Sequence, residues 1–273
     1  MGDIVKEDDS LAIELYRNTM TGQWKKVVEM YEEYQIEAIS AKINSSGDTA
    51  LHVAVSIATH KEAQQLVSVI KGWYDKEVQK IKDRYDTEVQ KIKDRYDEEV
   101  EKIKDKLYKL HEDSLFFSAE YEVSLKNLEK KLGDDINVYD EKVEKEITAI
   151  LESGVWIKNN EGNTPLHVAA SARRLSICIP LIRSFNSIQP LGMYNNHGES
   201  PLFLAAIHGD KKIFLYFHVN ILLGNSKFSN TDPESIDPAY LRWTDGETIL
   251  HCAIRWEYFG EHFFLTFFAS PIK

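Results

Sequence analysis

The stretch GNTPLHVAA, Gly162–Ala170, reads as a turn running into a short helix. Glycine permits a positive φ at the end of a turn. The Thr164 hydroxyl can cap the helix that follows, and Pro165 stands at the first helical position, where a missing N–H costs nothing. Leu166 then points inward, and Ala169 lets a neighbouring helix approach closely.

Working outward, the same pattern recurs as GDTALHVAV from Gly47, GESPLFLAA from Gly198 and GETILHCAI from Gly246. Gly162 and Gly198 lie 36 residues apart. Thr49, Ser200 and Thr248 repeat the cap, Leu51, Leu202 and Leu250 the inward leucine, and Ala54, Ala205 and Ala253 the small contact residue. Four copies of one supersecondary unit predict an array in which each unit buries its apolar face against the next.

The pattern resembles the ankyrin repeat, with its T-P-L-H-x-A signature; TPLHVA from Thr164 and TALHVA from Thr49 carry the likeness most completely. The resemblance implies an all-α solenoid of about five paired-helix repeats, including a capping repeat. His52, His167 and His251 then take the motif histidine's place, bonding the loop between repeats, while Phe203 departs from it. Gly209 stands where a glycine joins the paired helices. Ala58, Arg173 and Glu257 hold that place elsewhere, at a cost of about 1 kcal/mol for each one forced left-handed. Pro180 is expected to kink the helix after the Thr164 motif or delay its start.

Residues 10–45 lack the signature but keep the shape. Leu11, Leu15 and Met20 suit one helix, Thr21-Gly22 a break, and Trp24, Val27, Val28 and Tyr31 a second, the expected capping repeat. Aromatic residues crowd the last 18 positions, which suggests a fragment or a shortened product of a longer array.

Gly47 and Gly162 are 115 residues apart, far more than one repeat needs. The excess opens with an eleven-residue tandem: DKEVQKIKDRY from Asp75, DTEVQKIKDRY from Asp86 and DEEVEKIKDKL from Asp97. Val78, Ile81 and Tyr85 begin a stripe with spacings of 3, 4 and 4, the mark of a straight or slightly right-handed helix. Charged residues fill the other faces, with Arg84–Glu88, Arg95–Glu99 and Glu98–Lys102 as possible i,i+4 pairs. A narrow stripe needs a partner helix. Phe116, Ala119, Val123, Leu128, Leu132, Val143, Ile147 and Ile150 supply one, capped by Asp113 or Ser114 and interrupted at Gly133-Asp134-Asp135. Two stretches of roughly 60 Å each then close an antiparallel, coiled-coil-like hairpin. The expected organisation is a capping and first repeat over 1–70, a charged helical insert over 71–152, and further repeats over 153–273. Segment 72–152 holds 16 basic and 23 acidic side chains, so its surface is mixed.

The chemistry expected is correspondingly sparse. Histidines that recur once per repeat cannot converge on one metal or substrate. No phosphate-binding loop, HExxH or GxSxG motif occurs. The insert's carboxylates lack the burial that shifts a pKa. No enzyme activity, cofactor or metal is therefore expected. A net charge of −11 argues against a nucleic-acid partner, and no run of about 18 apolar residues offers a membrane span. The acidic N-terminus is unlike a secretory leader, and Cys178 and Cys252 fit buried thiols of a reducing, cytoplasmic setting. Protein partners remain, or a second copy meeting the first through the insert. Candidate partner-binding residues are Asn160, Glu161, Asn196, His197, Trp243 and Asp245 on the loop tips, with Ser171, Arg173, His208 and Arg255 along the first helices. Trp243 is the foremost of them, since exposed Trp is enriched at interface hot spots.

More finely, LYRNTMTGQWKKVVEMY (Leu15–Tyr31), NNEGNTPLHVAA (Asn159–Ala170) and DGETILHCAIRWEYF (Asp245–Phe259) resemble plant ankyrin proteins with a C-terminal PGG domain, the accelerated-cell-death type. The likeness covers residues 10–70 and 150–260. It implies a scaffold in stress and defence signalling. The alternative it carries is the cytosolic sensor part of a protein tethered to the plasma membrane by helices this chain lacks.

Overall fold

The computed structural model describes residues 7–110, 116–185 and 188–228, and side chains over 10–106, 122–185 and 188–221. All regular structure among the described residues is helical. The chain divides into two compact units, residues 1–73 with 152–273, and residues 74–151.

In the first unit short helices come in pairs. α1 (Glu7–Met20) and α2 (Trp24–Tyr34) flank a turn in which Gly22 has φ +69°. The short α3 (Ile36–Ser40) follows. The motif helices are α4 (Ala50–Ile57), α7 (Pro165–Ser171) and α9 (Pro201–Ile207). Each precedes a longer helix: α5 (His60–Leu110), α8 (Leu175–Phe185) and α10 (Lys211–Phe228). α1 packs on α4, α4 on α7 and α7 on α9, so the pairs stack in sequence. Leu51, Leu166 and Leu202 are buried between layers, each worth about 1.5–3 kcal/mol of apolar transfer. Ala54, Ala169 and Ala205 have no accessible surface, as a close helix approach requires. Trp156 fills the space beside α8, edge-on to Phe185 with ring centroids 5.6 Å apart.

Two expectations about backbone resolve differently. α8 starts at Leu175, five positions ahead of Pro180, and runs through it, so the proline does not delay the helix. Sitting mid-helix, it forfeits the one intrahelical bond its N–H would make to the Ser176 carbonyl, one turn back. Arg173 takes the left-handed conformation with φ +57°, matching Gly209 at +64°. Ala58 avoids it at φ −67° and ψ 159°, because the chain there passes through the extended residue Ala58 to the Thr59 cap of α5.

The second unit consists of the rest of α5 and most of α6 (Phe116–Ser153), packed antiparallel. Arg84 pairs with Glu146, the Tyr85 phenol donates to Asp140, and Lys131 lies 3.8 Å from Glu99. Arg84 thus reaches across the pair, while Glu88 is held by Lys91 and Glu98 by Lys102. The stripe Val78 to Ile103 is buried or half-buried throughout. α6 answers with Leu125, Leu128, Leu132, Ile136, Tyr139, Val143, Ile147 and Ile150, again spaced by 3, 4 and 4. The expected interruption at Gly133-Asp134-Asp135 is absent: α6 is continuous there. One exposed glycine costs a helix about 1 kcal/mol, less than the stripe on both sides returns. Val123, placed on the stripe by sequence, is 59% exposed, and Leu125 takes that place. Asp113 and Ser114 lie outside the described residues.

Among the described residues, no helix is long and apolar enough to cross a membrane. No group of three or more His, Cys, Asp or Glu among them could hold a metal ion.

Candidate binding surface

The loop ahead of each motif helix is built on asparagine. Asn159 accepts the N–H groups of Glu161 and Asn163 at its Oδ1, and Asn195 does the same for His197 and Glu199. These side chains hold the tight loop that ends at Gly162 or Gly198, with φ of +77° and +76°. Glycine there is a space requirement as well as a conformational one. A Cβ on Gly47 would stand 2.3 Å from the Asn160 side chain, and one on Gly162 would stand 2.6 Å from the Asn196 backbone nitrogen.

Successive loops join through these contacts. The Asn160 backbone N–H donates to Ser46 and its side-chain amide to Ser45, both at 2.9 Å. One repeat on, the Asn196 N–H donates to Glu161 at 2.9 Å and its amide to Asn160 at 2.8 Å. Asn159 and Asn195 extend amide bonds to Asp48 and Asn163 of the preceding loop.

The motif histidines continue the ladder inward. The Thr164 N–H donates to His167 Nδ1 at 3.1 Å, so the proton sits on Nε2, which donates to the Glu199 carbonyl at 3.1 Å. His52 does the same with Thr49 and the Asn163 carbonyl. Burial disfavours the charged ring, and an Nδ1 already accepting an N–H has no room for a second proton. The His167 pKa is pushed down to about 4, and that of His52 falls below its ordinary value. Both are neutral connectors. Where Phe203 replaces the histidine, the Ser200 hydroxyl still accepts the Phe203 N–H, and half of the reciprocal cap survives.

At the opposite end of the motif helices, the Arg174 guanidinium donates to the Val55 carbonyl at 3.0 Å, and to those of Ala54 and Ala58, closing the end of α4. Sequence offered no cue for this clamp, because Thr59 and Asp210 hold the matching positions and no periodicity marks it. The Asn-Asn pairs at 159–160 and 195–196 were a readable signal for the ladder.

The candidate residues therefore scatter over three surfaces. Asn160, Glu161, Asn196 and His197 are exposed on the loop tips, where the two asparagines also bind neighbouring loops. Ser171 is half-buried as the last residue of α7. Arg173 is exposed in the α7–α8 turn, and His208 caps the end of α9. Trp243, Asp245 and Arg255 lie outside the described residues, as do Cys252 and His251. Cys178 is buried, and burial pushes its thiol pKa up to about 12. Besides Ser171, the motif helices leave Val53, Ser56 and Ile57 of α4, Val168 of α7 and Ile207 of α9 at least partly open to solvent. That row carries no formal charge.

No curated protein matches the chain. The family model for ankyrin repeats matches residues 139–222 in three copies, beginning inside α6 and ending in α10. Stacked helix pairs, glycine-closed loops and the Thr-His cap occupy that same span: the chain carries ankyrin repeats.

Proposed function

We propose that the chain is a non-catalytic scaffold that holds a protein partner on the uncharged row along α4, α7 and α9 and on the adjoining loop tips. Ankyrin repeats are generally protein–protein interaction modules. The observation that carries the reading is the commitment of polar groups. The motif histidines, loop asparagines and cap hydroxyls bond to their own array, leaving shape and apolar contact as what the face offers. Val53, Ile57, Val168 and Ile207 supply that contact without charges to desolvate. Asn160, Glu161, Asn196, His197 and Ser171 border the row, and Trp243, Asp245 and Arg255 extend the proposed surface in sequence.

Carrying the plant-type resemblance over makes stress or defence signalling the setting proposed for this scaffold. Affinity capture from native extract tests the scaffold itself, comparing the parent chain with an Ile57→Glu, Val168→Glu double variant. A defined partner retained by the parent and lost by the variant, at equal melting temperature, supports the reading. Identical captured sets from both would refute it.

A further inference from the structure

The turns leading into α5, α8 and α10 share one edge of the array. Arg174, in the α7–α8 turn, reaches the last carbonyls of α4, and α7 packs in turn on α9, so the turns that follow these motif helices lie side by side. Basic side chains collect on this edge. His60 and Lys61 open α5, Arg173 and Arg174 precede α8, and Lys211 and Lys212 open α10. Of these, His60, Lys61, Arg173, Lys211 and Lys212 are exposed.

Such residues are in the wrong place for helix stability. A helix N-terminus carries roughly half a positive charge and favours acidic neighbours. α5 and α10 do recruit acids, but as caps: Glu62 accepts from the Thr59 N–H at 2.9 Å, and Asp210 from the Lys212 and Ile213 N–H groups at 3.0 Å. α8 recruits none, its Ile177 and Cys178 N–H groups bonding the Arg174 carbonyl. Cations therefore stand beside helix N-termini in successive repeats, in a chain whose net charge is −11.

We infer that this edge docks an extended acidic peptide, with carboxylates meeting the turns of successive repeats. Stacked helices lie about 8–10 Å apart, the length of about three extended residues, so an acid at every third position would meet each turn in register. The chain's overall negative charge repels a large anionic surface such as a bilayer or duplex. A short peptide responds to the local field within a Debye length of about 8 Å. This docking deepens the scaffold reading but uses a different surface, so each can fail alone.

The test is fluorescence anisotropy on the full chain, with a labelled peptide of about four Glu-Gly-Ser units and a Gln-Gly-Ser counterpart. The expected result is saturable binding of the Glu peptide only, weakened about tenfold or more between about 50 and about 200 mM salt. It should fall at least as far in an Arg173→Glu, Lys211→Glu, Lys212→Glu chain that melts like the parent. Should that variant unfold, the corresponding triple glutamine change supplies the comparison, with an intermediate loss expected. Equal binding of the two peptides, or undiminished binding by the charge-altered chain, overturns the inference. Retention on phosphatidylserine vesicles that the variant loses, without peptide binding, overturns it in favour of a lipid surface.

Discussion

Replacing His167 with glutamine should flatten the acid side of the stability curve. In the folded chain His167 takes up a proton only near pH 4, because burial and the Thr164 N–H both oppose it, whereas in the unfolded chain it does so at its ordinary 6.5. The unfolded state therefore binds the proton first as pH falls. Stability contributed by the neutral ring is complete above about 6.5 and drains away between there and about 4. Between about pH 7.5 and about pH 5 the loss is about 2 kcal/mol, since each tenfold difference in proton affinity between the two states is worth about 1.4 kcal/mol. Glutamine does not titrate. It also fits poorly between the Thr164 N–H and the Glu199 carbonyl, so the variant starts about 1–3 kcal/mol less stable near neutrality.

Urea unfolding of both chains at the two pH values measures the effect, followed by tryptophan fluorescence. Trp24, Trp73 and Trp156 are buried in the repeat unit, and segment 74–151 contains no Trp, so no tryptophan reports from within the second unit, whose long helices dominate ellipticity. Carboxylates and His52 titrate in both chains and cancel in the difference. The gap between parent and variant should close by about 2 kcal/mol on acidification. A gap that stays constant within about 0.5 kcal/mol would refute the neutral-connector account of the motif histidine.

Arg174→Ala removes donors to the last carbonyls of α4 and should cost about 1–2 kcal/mol in urea unfolding; Arg174→Lys should not restore it, because one ammonium cannot span carbonyls that a forked guanidinium reaches. Arg173→Gly should stabilise the array by up to about 1 kcal/mol, relieving a left-handed conformation that Gly209 adopts at the matching turn; an unchanged midpoint would mean that the arginine's own contacts offset the strain. Gly133→Ala should raise the stability of the long helix pair by about 0.5–1 kcal/mol, read as a higher ellipticity midpoint, since a Cβ there meets nothing within 4 Å.

What could be read from sequence was whatever repeats or has a period. The capping hydroxyls, inward leucines and close-packed alanines recur, and in the three copies among the described residues the structure places them as the pattern requires. The α5 stripe was equally plain, because its tandem copies are nearly identical. Its partner was only half legible. Taking Gly133-Asp134-Asp135 as a break cut the pattern in two and hid Ile136 and Tyr139, residues that carry the same spacing across the supposed gap. Local propensity argued for a break of about 1 kcal/mol, and burial along the whole stripe outweighed it. Arg174 was invisible for another reason. It acts once, on carbonyls 116 to 120 positions earlier in the chain, and nothing periodic announces such a contact.

The loop tips show how one residue can serve stacking while lying on the surface. Asn160 and Asn196 are exposed, the usual mark of a position free to evolve contacts with a partner, yet each uses both its backbone N–H and its side-chain amide on the loop before it. Each bond is worth only about 0.5–1.5 kcal/mol, well below the burial of a leucine, but hydrogen bonds are directional where apolar burial is not. The leucine and alanine layers give the stack its stability, and the asparagine ladder fixes the register of one repeat on the next. Altering either asparagine would therefore disturb loop alignment before it reported on binding. Side chains that point away from the ladder, on the α4–α7–α9 row and on the basic edge, are where recognition can vary without loosening the array.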